Sequence, residues 1–307
     1  MSLLVVGSVA VDSIETPFGK RDQALGGSAT YFSTSASFFT NVNLVAIVGE
    51  DFGDEHVQFL RSRGVGLDGL VRAKGKTFHW KGQYGFDLNT ANTLATDLNV
   101  FATFSPELSP ELRRSQHLFL GNIDPDLQWN VLNQIEHPRI VAADTMNFWI
   151  TGEPKLVGEV LAKIDMLVIN DEEARDLTGI HNLVKAAADI RKRGPSRLII
   201  KRGEHGALYF DDAGVFFAPG YPLEDVLDPT GAGDSFAGGL IGYIASVGAV
   251  DHNTIRRAIY FGSALGSFCV EGIGPKRLLD VGPKDLAKRM QQFMALVETG
   301  GPVTLPE

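Results

Sequence analysis

The 307 residues suffice for one large α/β domain or two ordinary ones, each with a full hydrophobic core. A hydrophobic fraction of 44% beside 21% charged residues excludes an apolar-poor, disordered chain. The formal net charge of -9 weighs against nucleic acid and an anionic membrane as main partners, because both need a basic surface, and favours a small neutral substrate.

In chain order, Leu3 to Val6 is a short apolar run that predicts a first strand. Met1 to Asp12 carries no basic n-region and this run is too short for a signal or a membrane span, so a cytoplasmic protein is expected. Further runs rich in β-branched residues follow at Leu44 to Val48, His117 to Leu120, Ile140 to Ala143, Met166 to Ile169 and Leu198 to Ile200. Continuous apolar strands imply burial on both faces. Segments between them have helical spacing, such as Val57, Leu60 and Arg61, or Leu183, Ala187, Ile190 and Arg191. Strand and helix alternate, which predicts a mostly parallel sheet covered by helices.

Thr77 to Tyr84 departs from that pattern, with Phe78, Trp80 and Tyr84 on one side and Thr77, His79, Lys81 and Gln83 on a wet side. Asn99 to Phe104 predicts another extended stretch, and residues 72 to 104 read as a hairpin-like flap. The tail after Glu298, with Gly300-Gly301-Pro302, is expected to be loose. The single cysteine, Cys269, excludes an intramolecular disulfide and is expected to be a buried, inert thiol in a helix. The seven histidines are scattered without metal-ligand spacing.

The segment richest in chemistry is Asp228-Pro229-Thr230-Gly231-Ala232-Gly233-Asp234-Ser235-Phe236-Ala237-Gly238-Gly239. Gly231, Ala232 and Gly233 let a ligand approach the backbone N–H groups closely, and a helix predicted from Ser235 points its positive end at the same place. Such an anion hole suits a transferring phosphoryl group, and Asp234 at its mouth can accept the proton of an attacking hydroxyl. Taken alone, the segment is equally a glycine-rich turn with Asp234 as an N-cap. It is no dinucleotide fingerprint, since Phe236 stands where the third glycine would be, and it has no Walker lysine.

This segment resembles the C-terminal signature of the ribokinase-like (PfkB) carbohydrate kinases, whose last Asp is the catalytic base. Gly26-Gly27-Ser28-Ala29-Thr30 resembles the family's N-terminal double-glycine signature beside the sugar, and Asp12 matches its acid that holds substrate hydroxyls. Asn170-Asp171-Glu172-Glu173 matches its Asn-x-x-Glu motif, which orders Mg2+ and phosphate through water, so Glu173 is the expected water-mediated metal residue. Asn170-x-x-Glu173 is also a good capping box after a strand. Lys201-Arg202-Gly203-Glu204-His205-Gly206 resembles the nucleotide-side glycine turn, which implies Lys201 and Gly203 at the ATP phosphates, although Lys201 taken alone is equally a surface lysine at a strand end. Asp144-Thr145-Met146-Asn147 is similar to a strand end of the ketodeoxygluconate kinase branch, with the Asn displaced and the Arg missing, and Asn147 is a candidate for a substrate hydroxyl.

The resemblance implies a single ribokinase-like domain over residues 1 to 307: a central, mostly parallel sheet flanked by helices, with a small β-lid from parts of 12 to 27 and 72 to 104. It implies ATP and Mg2+ as cofactors, ATP lying over the Gly231 loop and the Ser263 to Gly274 region. It adds activation by K+ near Asp228 and a homodimer through the lid, where exposed Phe78 and Trp80 would pack. The acceptor it implies is a small sugar or sugar-like molecule. A nucleoside kinase of the same fold, with Phe78, Trp80 and Tyr84 as a base slot, stays open. A non-catalytic sugar- or nucleotide-binding protein fits less well, because such a protein would be free to lose Asp234. An unphosphorylated acceptor is expected, because the pocket segments supply only Lys81 as a cation and Lys20-Arg21 read as solvated turn residues.

Overall fold

Alternate residues of a strand leave on opposite faces, and both faces of the central strands here are apolar. The computed structural model describes residues 2–88 and 91–298. Its strands are β1 (Leu3–Val6), β2 (Ala10–Thr16), β3 (Gly19–Gly26), β4 (Val42–Val48), β5 (Val65–Arg72), β6 (Phe78–Tyr84) and β7 (Ala91–Asp97). They continue with β8 (His117–Leu120), β9 (Ile140–Ala143), β10 (Met166–Asn170), β11 (Arg197–Lys201), β12 (Ala207–Asp211) and β13 (Gly214–Ala218).

Nine strands form one sheet in the order β13-β12-β11-β10-β9-β8-β1-β4-β5. All neighbours from β5 to β11 run parallel, while β12 and β13 are antiparallel. On one face Leu3, Val5, Met166 and Val168 join a core with the helices Ser28–Ala36, Ala232–Val247 and His252–Val270. Phe32 stacks on Phe119 there, with ring centroids 4.2 Å apart. On the other face Leu4, Val6, Leu167 and Ile169 join a second core with the helices Pro154–Leu161, Asp171–Thr178 and Leu183–Lys192. The expected mostly parallel sheet between helices is thus present, and each of the six apolar runs is a strand.

A second sheet of four strands has the order β3-β2-β6-β7. β2 pairs parallel with β6 and antiparallel with β3, which sets Asp12 beside Trp80 and Ala24. Ser8 and Ser28 exchange backbone-to-hydroxyl bonds of 3.0 and 3.2 Å, tying the entry to this sheet to the start of the helix Ser28–Ala36.

Several local expectations need correction. Asn99 to Thr103 is a 3-10 helix rather than an extended stretch, because Val100 and Phe101 turn inward to the core. Thr77 is buried rather than wet, donating its N–H and hydroxyl to Asp51 at 2.7 Å. Phe78 is half-buried against Phe101 at 5.8 Å, so it is not free for a partner, and Trp80 is half-buried with its Nε1–H donating to Thr93. The helix after the glycine loop begins at Ala232, three residues before Ser235. Cys269 is buried as expected. The tail expected to be loose, at Gly300-Gly301-Pro302, lies outside the described residues. No helix among the described residues is long and apolar enough to cross a membrane.

Candidate active site

Parallel strands deliver side chains from their carboxyl ends, and three neighbouring ends converge here. β9 leads to Asp144, β10 to Asn170 and Glu173, and β11 to Lys201. The N-terminus of the helix Ala232–Val247 brings Asp234 over them, and β2 brings Asp12 from the second sheet.

The glycine loop is anchored by Asp228, which is fully buried. Its Oδ1 accepts from Thr230 N–H at 2.9 Å and its Oδ2 from Gly274 N–H at 3.1 Å. Burial raises its pKa, and the two amides offset part of that. Gly231 has φ +76°, and a Cβ there would strike the Tyr31 ring. No side chain caps this 16-residue helix. Among the described residues, the Gly233 and Asp234 N–H groups find no acceptor, so two donors and the positive helix end face the same space.

Asp234 is half-buried at this mouth. Burial raises its pKa to about 7, with Asp144 pushing the same way and Lys201 opposing. Asp12 is 4% exposed and its pKa is also raised to about 7, by burial against the Gly27 amide, then by Asp228 and Asp234. The loop acids and the second-sheet acid therefore share one electrostatic site. Gly26 is required beside it, since a Cβ would run into the Asp12 carboxylate. Gly27, at φ +92°, would collide with the Ser8 carbonyl if it carried a Cβ.

The Asn170 motif forms the full capping box: Asn170 Oδ1 accepts from Glu173 N–H and Glu173 Oε2 from Asn170 N–H, each at 2.7 Å. Burial raises the Glu173 pKa to about 8, with Asp144 adding and Lys201 opposing. The cap does not exhaust this carboxylate, which still feels the Asp144 and Lys201 charges. Lys201 Nζ donates to Asp144 Oδ2 at 3.2 Å. Burial works against the Lys201 charge, but Asp144, Glu173 and Asp234 outweigh it and raise its pKa. A Cβ on Gly233 would lie 3.0 Å from that Nζ, so the ammonium abuts the glycine loop.

Gly203 lies just past β11 at φ +55°, opening the 3-10 turn Gly203–His205 that Arg202 N–H closes on Gly206 at 2.8 Å. Asn147 stands apart: it is exposed and donates to Asp176 at 3.4 Å. One participant escaped the site residues read from the sequence, and a second, Tyr84, was expected only in a base slot. Asp144 was noted only as part of a strand end, although an acid and a lysine closing the two strands that flank the Asn-x-x-Glu strand signal a pair. Tyr84 accepts from Thr230 Oγ1 at 3.3 Å and so joins β6 to the glycine loop, a contact no local pattern announces. Among the described residues no cluster of three or more His, Cys, Asp or Glu side chains forms a metal cage.

Residues 3–280 match the pfkB family carbohydrate kinase domain. The chain belongs to the PfkB family. It is 31% identical over 254 residues to the cytidine kinase of Thermococcus kodakarensis, an alignment that covers 79% of this chain and 88% of that one. The Methanocaldococcus jannaschii nucleoside kinase superposes with a TM-score of 0.74 at 19% identity, covering 95% of this chain and 98% of that one. Arabidopsis thaliana ribokinase, solved with ribose and ATP, superposes with a TM-score of 0.74 at 21% identity, covering 94% and 98%. The fold is ribokinase-like, and this PfkB chain is a phosphotransferase acting on a sugar or nucleoside hydroxyl.

Proposed function

We propose that this kinase moves the γ-phosphoryl group of ATP to a hydroxyl of a small, unphosphorylated sugar or sugar-like acceptor. The carrying observation is Asp234, a carboxylate with a pKa of about 7 in the first turn of an uncapped helix, beside two free N–H donors and facing Asp12. Asp12 holds the acceptor's hydroxyls beside Gly26 and Gly27, with Asn147 as an outlying contact at the pocket rim. Asp234 takes the proton of the attacking hydroxyl while its oxygen bonds to phosphorus and the bond to the ADP oxygen breaks. The Gly231-Ala232-Gly233 loop stabilises the charge that develops on the phosphoryl oxygens. Lys201 and the Gly203 turn serve the ATP phosphates from the strand ends.

Mg2+ neutralises phosphate charge. Such an ion keeps several of its waters and takes only one or two carboxylates. Glu173, with Asn170 fixing it, would hold that ion through water. Asp228 is a buried carboxylate with no cationic side chain beside it among the described residues, which supports a K+ ion near its loop. In this reading the whole chain works as one domain in the cytoplasm, where ATP is available, with the second sheet as lid. The same reading includes a homodimer through that sheet, supported by Phe86 at 86% and Leu94 at 48% exposure.

An unphosphorylated acceptor is supported by the missing cations. Lys20 pairs with Asp22 at 3.7 Å in solvent, Arg21 is exposed, and Lys81 leaves the face opposite Asp12 and Trp80. A nucleoside acceptor is the second reading, favoured by the Trp80–Tyr84 edge contact at 6.5 Å over the glycine loop and by the cytidine kinase likeness. The test is ATP consumption with Mg2+ and K+ across pentoses, hexoses, nucleosides, sugar acids and sugar phosphates. A sugar phosphate better than every free acceptor by tenfold in kcat/KM would overturn the unphosphorylated reading.

A further inference from the structure

Lys201 and Asp144 close the strands on either side of β10, so their side chains meet across the end that carries Asn170. Their side chains are 16% and 7% exposed. The carboxylate is fixed independently of the lysine. Its Oδ1 accepts from Thr145 N–H at 2.8 Å, and its backbone carbonyl accepts from Gln128 Nε2 at 2.9 Å, Gln128 being buried in turn. The lysine has no such fixture, since its stem is flexible and its ammonium forms no directional fork. Three carboxylates attract it: Asp144, Glu173 and Asp234. Paired with Asp234 it would occupy the base, and paired with Glu173 it would compete with a metal ion's waters. Against Gly233 it faces the space served by the free N–H groups.

Resting on the kinase reading above, we propose that Asp144 is a positioning residue that holds the Lys201 ammonium against Gly233, on the transferring phosphoryl group and away from the Asp234 carboxylate. Asp144 makes no bond to either substrate and takes no proton. Its effect passes entirely through Lys201. Two substitutions that act through one group are strongly non-additive, whereas independent ones multiply.

The experiment measures kcat and KM for ATP and for the best acceptor in wild type, Asp144→Asn, Lys201→Met and the double variant, with melting temperatures to establish folding. Asp144→Asn should lower kcat roughly 10- to 100-fold, as misplacing one charge in such a site does, with acceptor KM changed less than about threefold. The double variant should be within about twofold of Lys201→Met alone. If Asp144→Asn does not fold, Asp144→Glu keeps the charge but moves it by one carbon; it should still lower kcat and again add nothing to Lys201→Met. A kcat for the folded Asp144 variant within twofold of wild type, or multiplying losses in the double variant, overturns the inference while the kinase reading stands. A wild-type enzyme that phosphorylates no acceptor overturns the kinase reading and this inference with it.

Discussion

Asp234 and Glu173 carry similar charge in one site, yet their surroundings assign them different work. Asp234 has no side-chain hydrogen-bond partner among the described residues and stands half-buried beside free amides, free to exchange a proton. Replacing it by Asn keeps volume and the start of the helix, so the fold and ATP binding should survive. Turnover should fall by roughly two to four orders of magnitude, the worth of a positioned general base. Near-wild-type turnover by the folded variant would show that Asp234 is not the base. Glu173 has one oxygen committed to the Asn170 N–H, a bond that Gln can also accept. Glu173→Gln should therefore keep the cap and the fold and raise the Mg2+ concentration for half-maximal rate several-fold, because the charge is lost while the capping bond survives. Titrating Mg2+ at saturating ATP separates the two roles; an unchanged midpoint with full activity leaves only the cap.

Elements whose sequence signal is local were legible before the fold was known. β1, β8 and β9 are four-residue apolar runs buried on both faces, and their ends coincide with the structure. The capping box was readable because its partners are three residues apart. β5 gave no signal because Gly66, Asp68 and Gly69 interrupt an edge strand with one partner. The pair β12 and β13 was missed because Val215 and Phe217 face outward, so burial does not pattern it. Contacts between distant segments were illegible for a different reason. Tyr84 meets Thr230 across 146 positions, and only the folded second sheet decides that meeting. This contact joins β6 to the glycine loop, so Tyr84→Phe removes a hydroxyl link while keeping the ring. One hydrogen bond of this kind contributes about 0.5–1.5 kcal/mol. Acceptor KM should rise roughly two- to tenfold on that basis, with ATP KM unaffected. Steady-state kinetics with each substrate varied in turn checks it, and an unaltered acceptor KM would show that the link is not used in closing over the acceptor.

The assembled site gathers carboxylates whose proton affinities are raised together, and that ties folding to pH in the opposite sense from catalysis. Asp12 and Asp234 titrate near 7 and Glu173 near 8 in the folded protein, burial being the first cause for each. In the unfolded chain such groups titrate near about 4. Between about pH 4 and 7–8 the folded state therefore holds protons that the unfolded state has released, so ligand-free stability falls as pH rises through that window. Activity runs the other way, because Asp234 must be unprotonated to act as base, and the rate should rise as pH passes about 7. Asp234→Asn removes one of these groups. Its melting temperature relative to wild type should climb between pH 5.5 and pH 8 by about 2–4 °C, the shift that roughly 1 kcal/mol produces in a chain of this size. Thermal melts of both proteins without nucleotide, at those two pH values and constant ionic strength, give the comparison. A difference in melting temperature that does not change with pH would mean that Asp234 is solvated and ionised throughout, and the rise in rate near pH 7 could not then be its titration.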